Sequence, residues 1–265
     1  MMKKYFVIGN PIDHSLSPKL HNYWFKENNI DAEYGKKKIY ENDLENIINK
    51  LKKKQINGIN VTVPFKKKVI PFLDKLSPEA EQTQSVNTIF LDNDNLVGYN
   101  TDIGGFIKAI KNLNFDMKGK KIFILGAGGV VPSIIFALNK MNVSKIIISN
   151  RTKKKAEDLK SQFHNLEILD WGHINDFDVI INATSVGLKK ESINLDFSKF
   201  DNDKLFYDVI YNPAETNFLK QGKKLGNKTE NGKLMFVYQA YEAFKLWHGI
   251  EPQVNSNILE IIKND

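Results

Sequence analysis

The sequence predicts an α/β protein of two units, and three observations carry that expectation. Short apolar strands alternate with amphipathic helical patterns through both halves of the chain. A glycine cluster, Gly126-Ala127-Gly128-Gly129, falls between a strand-like run and a helical one in the second half. At 265 residues, the chain is longer than a single hydrophobic core usually supports.

In the first half, strand-like runs at 5–8, 33–40, 58–63 and 88–91 alternate with helical patterns at 18–28, 42–53 and 67–73. A helix over 101–113 follows, with Ile103, Phe106, Ile107 and Ile110 on one face. A new strand at 120–125 then opens a repeat of strand, helix and strand: 132–140, 145–149, 152–162, 178–181 and 205–209. Such alternation implies a doubly wound parallel sheet with right-handed crossovers, whose carboxyl edge carries the ligand. Two helices close the chain at 233–247 and 256–263, the first with Leu234, Val237, Tyr238, Tyr241 and Phe244 on one face. The expected division is 1–101, 102–235 and a terminal helical segment, 236–265.

Composition removes several function classes. The chain has no cysteine, which excludes disulfides, thiolate metal sites and cysteine nucleophiles and suits a reducing cytoplasm. His14, His21, His164, His173 and His248 show no paired ligand spacing, so no metal is expected. The net charge of +7 comes from lysine triplets at 36–38, 52–54, 66–68 and 153–155, scattered among acids rather than gathered in a tail. A nucleic-acid partner is therefore not expected, and the basic field suits anionic small molecules. No apolar run is long enough to span a membrane, and the first residues read as a strand rather than a signal peptide.

Chemistry concentrates first in Gly58-Ile59-Asn60-Val61-Thr62-Val63-Pro64-Phe65-Lys66. The β-branched residues alternate with Asn60 and Thr62, which reads as a half-buried strand; Pro64 ends it and places Lys66 on a fixed turn or an opening helix. Taken alone, Lys66-Lys67-Lys68 reads more readily as a solvated basic helix start than as a reactive site. Three further polar clusters are His14-Ser15-Leu16-Ser17, Asn87, and Asn100-Thr101-Asp102. Ser17 before Pro18 also reads as an N-cap, and Asp102 as a cap of the helix it opens. Together the clusters supply hydroxyls, amides, an amine and a carboxylate, a set suited to a polyhydroxylated, carboxylate-bearing molecule.

The glycine cluster directly follows the strand ending at Leu125 and precedes a helix, which is the setting of a Rossmann-type dinucleotide turn. Glycine lets the backbone approach a pyrophosphate, and the helix start supplies N–H groups and partial positive charge. The third glycine of the strict motif is absent: Val131 stands there, followed by Pro132, which the first helical turn tolerates. About 20 residues on, Asn150-Arg151-Thr152 offers a guanidinium where an NAD-binding site keeps an acid, and Lys153, Lys154 and Lys155 add charge. A 2′-phosphate fits there, so NADP is expected. Asn182-Ala183-Thr184-Ser185, after the strand at 178–181, is placed toward the cofactor as well.

In this order of blocks the chain resembles the shikimate dehydrogenase family. The matching stretches are Gly9-Asn10-Pro11, His14 to Pro18, His21-Asn22, Asn60 to Lys66, Ser85 to Thr88, Gly98 to Asp102, Gly126 to Gly129, Asn150 to Thr152, Asn182 to Thr184, Tyr211-Asn212-Pro213, Met235 and Gln239-Ala240. The resemblance implies an N-terminal α/β substrate domain, a C-terminal Rossmann-type domain, a cleft between them, and terminal helices packing back on the first domain. It implies reversible reduction of 3-dehydroshikimate to shikimate with NADPH by a monomer or homodimer. By the same carry-over, Lys66 and Asp102 form the catalytic pair. Ser15, Ser17, Thr62, Lys66, Asn87, Asp102, Tyr211 and Gln239 hold substrate. Gly126, Ala127, Gly128, Gly129, Val130, Asn150, Arg151, Thr152, Lys153, Lys154, Lys155, Val209 and Gly232 line the cofactor. Val131 and Pro132 depart from the smaller or basic residues usual after the turn. The alternatives are a quinate/shikimate dehydrogenase using either cofactor, a methylenetetrahydrofolate dehydrogenase, and a non-catalytic NADP-binding sensor.

Overall fold

The computed structural model describes residues 2–189 and 191–262. The chain divides into two compact units, one formed by Met1–Gly105 with Val237–Asp265 and the other by Phe106–Phe236. Each is an α/β unit built on a six-stranded sheet.

In chain order the first unit contains β1 (Lys3–Gly9), α1 (Ser17–Glu27), β2 (Ala32–Lys38), α2 (Leu44–Lys52), β3 (Gly58–Val61), β4 (Lys75–Leu76), α3 (Pro78–Thr83), β5 (Thr88–Asp92), β6 (Asn95–Tyr99) and the opening of α4 (Thr101–Asn112). The sheet runs β2-β1-β3-β5-β6-β4. It is parallel from β2 to β3, whereas β5 runs antiparallel to both β3 and β6. That one reversal positions the site. It brings the carboxyl end of β3, the amino end of β5 and the carboxyl end of β6 to the same edge, with Asn60 opposite Thr88 and Thr88 opposite Tyr99.

Alternation sorts the two faces of this sheet. Ile8, Ile59, Val61 and Ile89 join Leu44, Ile47, Ile48 and Leu51 of α2 in one core. On the other face Tyr5 stacks obliquely on Phe25 of α1 and on Trp247, with ring centroids at 5.4 and 4.8 Å. Both faces are covered, so β3 is buried at all four positions, not half-buried as its alternating pattern predicts. The expected helix at 67–73 is absent: the segment is a series of turns with a single 3₁₀ turn at Ile70–Phe72. Pro71 interrupts helical pairing there. The short α3 escapes the sequence reading although its start is well specified: Ser77 accepts a bond from the Ala80 N–H at 3.2 Å, and Pro78 occupies the first turn.

The second unit contains β7 (Lys121–Leu125), α5 (Val131–Lys140), β8 (Lys145–Ser149), α6 (Lys153–Gln162), β9 (Leu166–Ile168), β10 (Val179–Asn182), β11 (Leu205–Asp208), α7 (Asn217–Lys224), β12 (Lys228–Glu230) and the first turn of α8 (Lys233–His248). Its order, β12-β11-β10-β7-β8-β9, is parallel throughout. The winding direction reverses between β7 and β10, so the crevice for a ligand lies at their carboxyl ends. Leu125 pairs with both Ser149 and Asn182, which brings Gly126, Asn150 and Ala183 to that edge together. One face of the sheet packs Phe123, Phe177, Phe206 and Phe218 into a single cluster.

Helix α5 starts at Val131 with Pro132 in its first turn, and Val131 is fully buried; the two residues that depart from the family pattern are accommodated within a regular helix. On α8 the fully buried positions are Val237, Ala240, Ala243 and Phe244, while Leu234, Tyr238 and Tyr241 are half-buried. The inward face is thus rotated from the one the sequence suggests and includes two alanines. The chain closes with α9 (Ser256–Ile261), short of the expected 256–263, and residue 263 lies outside the described residues. No helix among the described residues is long and apolar enough to cross a membrane.

Candidate functional site

In the first unit, the edge shared by β3, β5 and β6 carries Lys66, Asn87 and Asp102. Lys66 sits on the turn after β3, and its backbone carbonyl accepts from the Val86 N–H at 2.9 Å, which ties the turn to the residue beside Asn87. Its ammonium meets Asp102 Oδ2 at 2.5 Å, with side chains only 12% and 8% exposed. Lys68 instead pairs with Glu41 at the surface, with 43% of its side chain exposed, and Lys67 is exposed. The triplet is therefore divided: one lysine is enclosed beside a carboxylate, and two are solvated.

Asn87 orients the other carboxylate oxygen, donating from Nδ2 to Asp102 Oδ1 at 2.9 Å. Its amide orientation is fixed, because Oδ1 accepts from the Thr101 backbone N–H at 2.8 Å and a backbone N–H can only donate. Asp102 lies in the first turn of α4.

Ser15 and Ser17 sit between β1 and the body of α1. Ser15 Oγ lies 3.3 Å from Ser17 Oγ. Ser17 is the first residue of α1, with Leu16 at the N-cap position, and its side chain hydrogen-bonds Tyr34 of β2. The N-cap reading of Ser17 therefore fails. Tyr34 is fully enclosed, and burial pushes its hydroxyl well above the usual phenol range, opposed by the bond from Ser17. Tyr34 in turn donates to Asn60 Oδ1 at 2.7 Å. Thr62 follows the last residue of β3 and is half-buried; its methyl would lie 2.5 Å from a Cβ at Gly9, so that glycine makes room for it.

The structure thus joins Ser15, Ser17, Asn87, Asp102 and Lys66 in the first unit. The residues that join them are Tyr34, Asn60, Thr88 and Thr101; sequence reading gave none of them a catalytic or binding role, although Asn60 and Thr101 lie within the polar segments it singled out. The usable signal was Asn60 and Thr88, polar side chains at alternating positions of strands that prove buried on both faces. Gln239 lies on α8 within this unit, half-buried. Tyr211 belongs to the second unit, where its ring stacks on Phe236 at 4.7 Å and burial raises its hydroxyl.

At the β7–β10 edge, Gly126 adopts φ +106°, and a Cβ there would lie 2.7 Å from the Ala183 carbonyl oxygen. At Gly128 a Cβ would meet that oxygen at 3.6 Å, an ordinary contact, so a methyl fits there without overlap. Among the described residues the N–H groups of Ala127, Gly128 and Val130 have no hydrogen-bond partner. Free N–H groups at a helix start form a cradle for an anion such as a pyrophosphate.

The basic cluster after β8 is also divided. Lys153 bonds Asp170 at 2.8 Å and Lys154 bonds Asp158 at 3.1 Å. Arg151 is exposed, and among the described residues its guanidinium has no partner; Lys155 likewise has no ion pair. Asn150 makes a local bond at the surface, donating to the Thr152 carbonyl at 2.8 Å. Asn182 and Thr184 bond each other at 2.7 Å, and Asn182 also donates to buried Asp208 at 3.0 Å. These two side chains shape their own loop, whereas the Ala183 backbone abuts Gly126.

Asp208 accepts from Thr216 at 2.6 Å and from the Ile210 N–H at 3.0 Å; burial raises its carboxyl, and these bonds oppose the rise. The loop it holds brings the Val209 carbonyl against Gly232, where a Cβ would lie 2.1 Å from that oxygen.

Three family models match the chain. One described as the shikimate dehydrogenase substrate binding domain covers residues 7–89, one described as shikimate / quinate 5-dehydrogenase covers 108–208, and one described as the shikimate 5'-dehydrogenase C-terminal domain covers 234–255. A shikimate dehydrogenase (NADP(+)) of Pelagibacter ubique is 54% identical over 263 residues, spanning 99% of each chain. The crystal structure of shikimate dehydrogenase from Aquifex aeolicus superposes with a TM-score of 0.90 at 38% identity, covering 99% of this chain and 98% of that one. A shikimate 5-dehydrogenase from Listeria monocytogenes, solved with shikimate and NAD, superposes with a TM-score of 0.92 at 30% identity over 98% and 96% of the two chains.

Proposed function

The chain belongs to the shikimate dehydrogenase family, and from that premise we propose that it catalyses the reversible NADPH-dependent reduction of 3-dehydroshikimate to shikimate. The observation that carries this reading is the enclosed Lys66–Asp102 pair at 2.5 Å, on a sheet edge that also presents a serine pair.

When bound, NADPH supplies the hydride that converts the ketone carbon to a carbinol carbon, leaving NADP⁺. The chain's part is to meet the charge that develops on the ketone oxygen. Lys66 holds three N–H donors at that position and gives up one proton to the oxygen, so that the alcohol forms. Asp102 holds the ammonium in place and compensates its charge within a largely enclosed site, while Asn87 keeps the carboxylate facing Lys66. In the reverse direction, neutral Lys66 accepts the alcohol proton.

Ser15, Ser17, Thr62, Asn87, Tyr211 and Gln239 are the proposed substrate ligands, the serine hydroxyls serving a carboxylate. The turn Gly126, Ala127, Gly128, Gly129 and Val130 would hold the pyrophosphate. Arg151, backed by Lys155, would hold the 2′-phosphate, with Asn150, Thr152, Lys153 and Lys154 shaping that corner and Val209 and Gly232 lining the nicotinamide end. The free guanidinium of Arg151 supports NADP over NAD. Shikimate-dependent reduction of NADP⁺, followed at 340 nm and repeated with quinate and with NAD⁺, tests the reading. Turnover of shikimate with NADP⁺ is expected to dominate; preference for quinate, or silence with all four combinations, would overturn it.

A further inference from the structure

The buried polar residues between the serine pair and the catalytic carboxylate form a chain with a defined direction. Ser15 Oγ donates to Ser17 Oγ at 3.3 Å, and the Ser17 hydroxyl bonds the Tyr34 oxygen. Tyr34 donates to Asn60 Oδ1 at 2.7 Å, and Asn60 Nδ2 donates to Thr88 Oγ1 at 2.9 Å. The Thr88 hydroxyl donates to Asn87 Oδ1 at 3.1 Å, and Asn87 Nδ2 donates to Asp102 Oδ1 at 2.9 Å.

The direction is forced at both amides. Asn60 Nδ2 also faces the Asn87 backbone carbonyl at 3.1 Å, which can only accept, so its Oδ1 must receive the Tyr34 proton. Asn87 Oδ1 faces the Thr101 N–H at 2.8 Å, so its Nδ2 must point at Asp102. Thr88, receiving from Asn60, has one proton to give and passes it toward the Asn87–Thr101 pair. Every donor therefore points the same way, from the serines to the carboxylate. Hydrogen bonds so aligned polarise one another in a buried setting, and Tyr34, Asn60 and Thr88 are all buried.

We propose that Tyr34, Asn60 and Thr88 are positioning residues whose one-way hydrogen-bond relay ties the orientation of the Ser15–Ser17 pair to that of Asp102 and, through it, Lys66. The sheet makes such a relay possible. Val7 of β1 stands between β2 and β3, and its register partner is Asn60, while Tyr34 pairs with Tyr5 on the same face. Tyr34 therefore reaches over β1 to Asn60, and the antiparallel step puts Thr88 directly opposite Asn60. A substrate carboxylate that draws the serine hydroxyls to itself changes what Tyr34 receives, and the change is felt at the carboxylate that holds the proton donor.

The proposal rests on the shikimate dehydrogenase reading, and its test separates the two. Thr88→Val and Tyr34→Phe each open the relay while nearly conserving volume, and neither residue is among the proposed ligands of substrate or cofactor. Each is expected to lower kcat for shikimate-dependent NADP⁺ reduction by about tenfold, with shikimate KM changing less, because misplacing a reacting group costs rate more than binding. The double variant should lose no more than the stronger single, since either cut opens the same chain. Thr88→Ser, which restores only the hydroxyl, should recover kcat to within about twofold of wild type. Losses that multiply in the double variant, a Tyr34→Phe enzyme with wild-type kcat, or failure of Thr88→Ser to recover would overturn the relay with the reaction assignment intact. A wild-type chain that leaves NADP⁺ unreduced with shikimate would overturn the assignment, and the relay's catalytic role with it.

Discussion

The Lys66 ammonium lies 2.5 Å from the Asp102 carboxylate, and the two side chains keep only 12% and 8% of their surface in contact with solvent. A pair so enclosed is costly to desolvate and is weak evidence of stability in itself. Its geometry is better suited to chemistry, because an ammonium held by a carboxylate presents its remaining N–H bonds to a ligand oxygen. Lys66→Ala should therefore lower kcat by roughly 10²–10⁴-fold, with a smaller change in shikimate KM. Steady-state kinetics in both directions checks this, and an unaltered kcat would remove Lys66 from the reaction.

The cations after β8 allow a sharper comparison than their sequence suggests. Lys154 is already paired with Asp158 at 3.1 Å, whereas Arg151 has no partner among the described residues. Arg151→Ala should weaken NADPH about 10–100-fold, the value of a lost charge-assisted bond, and leave NADH nearly unaltered. Lys154→Ala should change either cofactor by less than about threefold, since it removes only a surface ion pair. Titration of both cofactors by fluorescence decides; equal losses of NADPH and NADH in Arg151→Ala would exclude 2′-phosphate recognition. The comparison matters because the Listeria relative was solved with NAD.

The second unit was legible in the sequence where hydrophobic runs were unambiguous. β7, β8 and β10 are continuous apolar strands bounded by glycine or polar residues, and the turn after β7 names its own ligand class. The missed pieces have little hydrophobic signal: β9 and β12 are three residues each, and α7 is mostly polar apart from Phe218 and Leu219. In the first unit, the helix expected at 67–73 failed because lysine and apolar spacing outweighed Pro71. The proposed catalytic pair was suggested only once Asp102 was set beside Lys66, 36 residues earlier, a proximity created by the antiparallel step at β5. The relay through Tyr34 and Thr88 was not legible at all. Its members lie on three strands, and nothing in local spacing says that Tyr34 reaches across β1.

Gly232 and Gly128 should respond to alanine in opposite ways. A Cβ at Gly232 would lie 2.1 Å from the Val209 carbonyl oxygen, an overlap with backbone that no rotamer relieves, whereas at Gly128 the nearest atom is 3.6 Å away. Gly232→Ala should lower the apparent Tm by about 2–12 °C, as overpacking costs on the order of 1–3 kcal/mol. Gly128→Ala should leave Tm within about 1–2 °C of wild type while raising the KM for NADPH, because a methyl on the turn hinders close approach of the pyrophosphate to its backbone N–H groups. Thermal denaturation with cofactor titration separates them; a stable Gly232→Ala with normal NADPH binding would contradict the close approach.

His21 makes the stability of the first unit sensitive to acid. Its imidazole is fully enclosed, stacks on Tyr34 at 4.3 Å with planes 2° apart, and among the described residues both ring nitrogens are without a hydrogen-bond partner. Burial, with a smaller contribution from His248, lowers its pKa to about 3, and burial with the nearby Lys3 charge lowers that of His248 to about 4. In the unfolded chain each histidine titrates near its ordinary value of about 6.5. The folded state therefore binds fewer protons, and the contribution is complete above about pH 6.5 and is lost progressively as pH falls toward 3–4. His21→Phe keeps the stacked ring and removes the titrating group. The variant should lose less Tm than wild type between pH 7 and pH 4.5, the remaining loss coming from His248 and the carboxylates. Parallel declines in the two proteins would show that His21 does not set the acid limit.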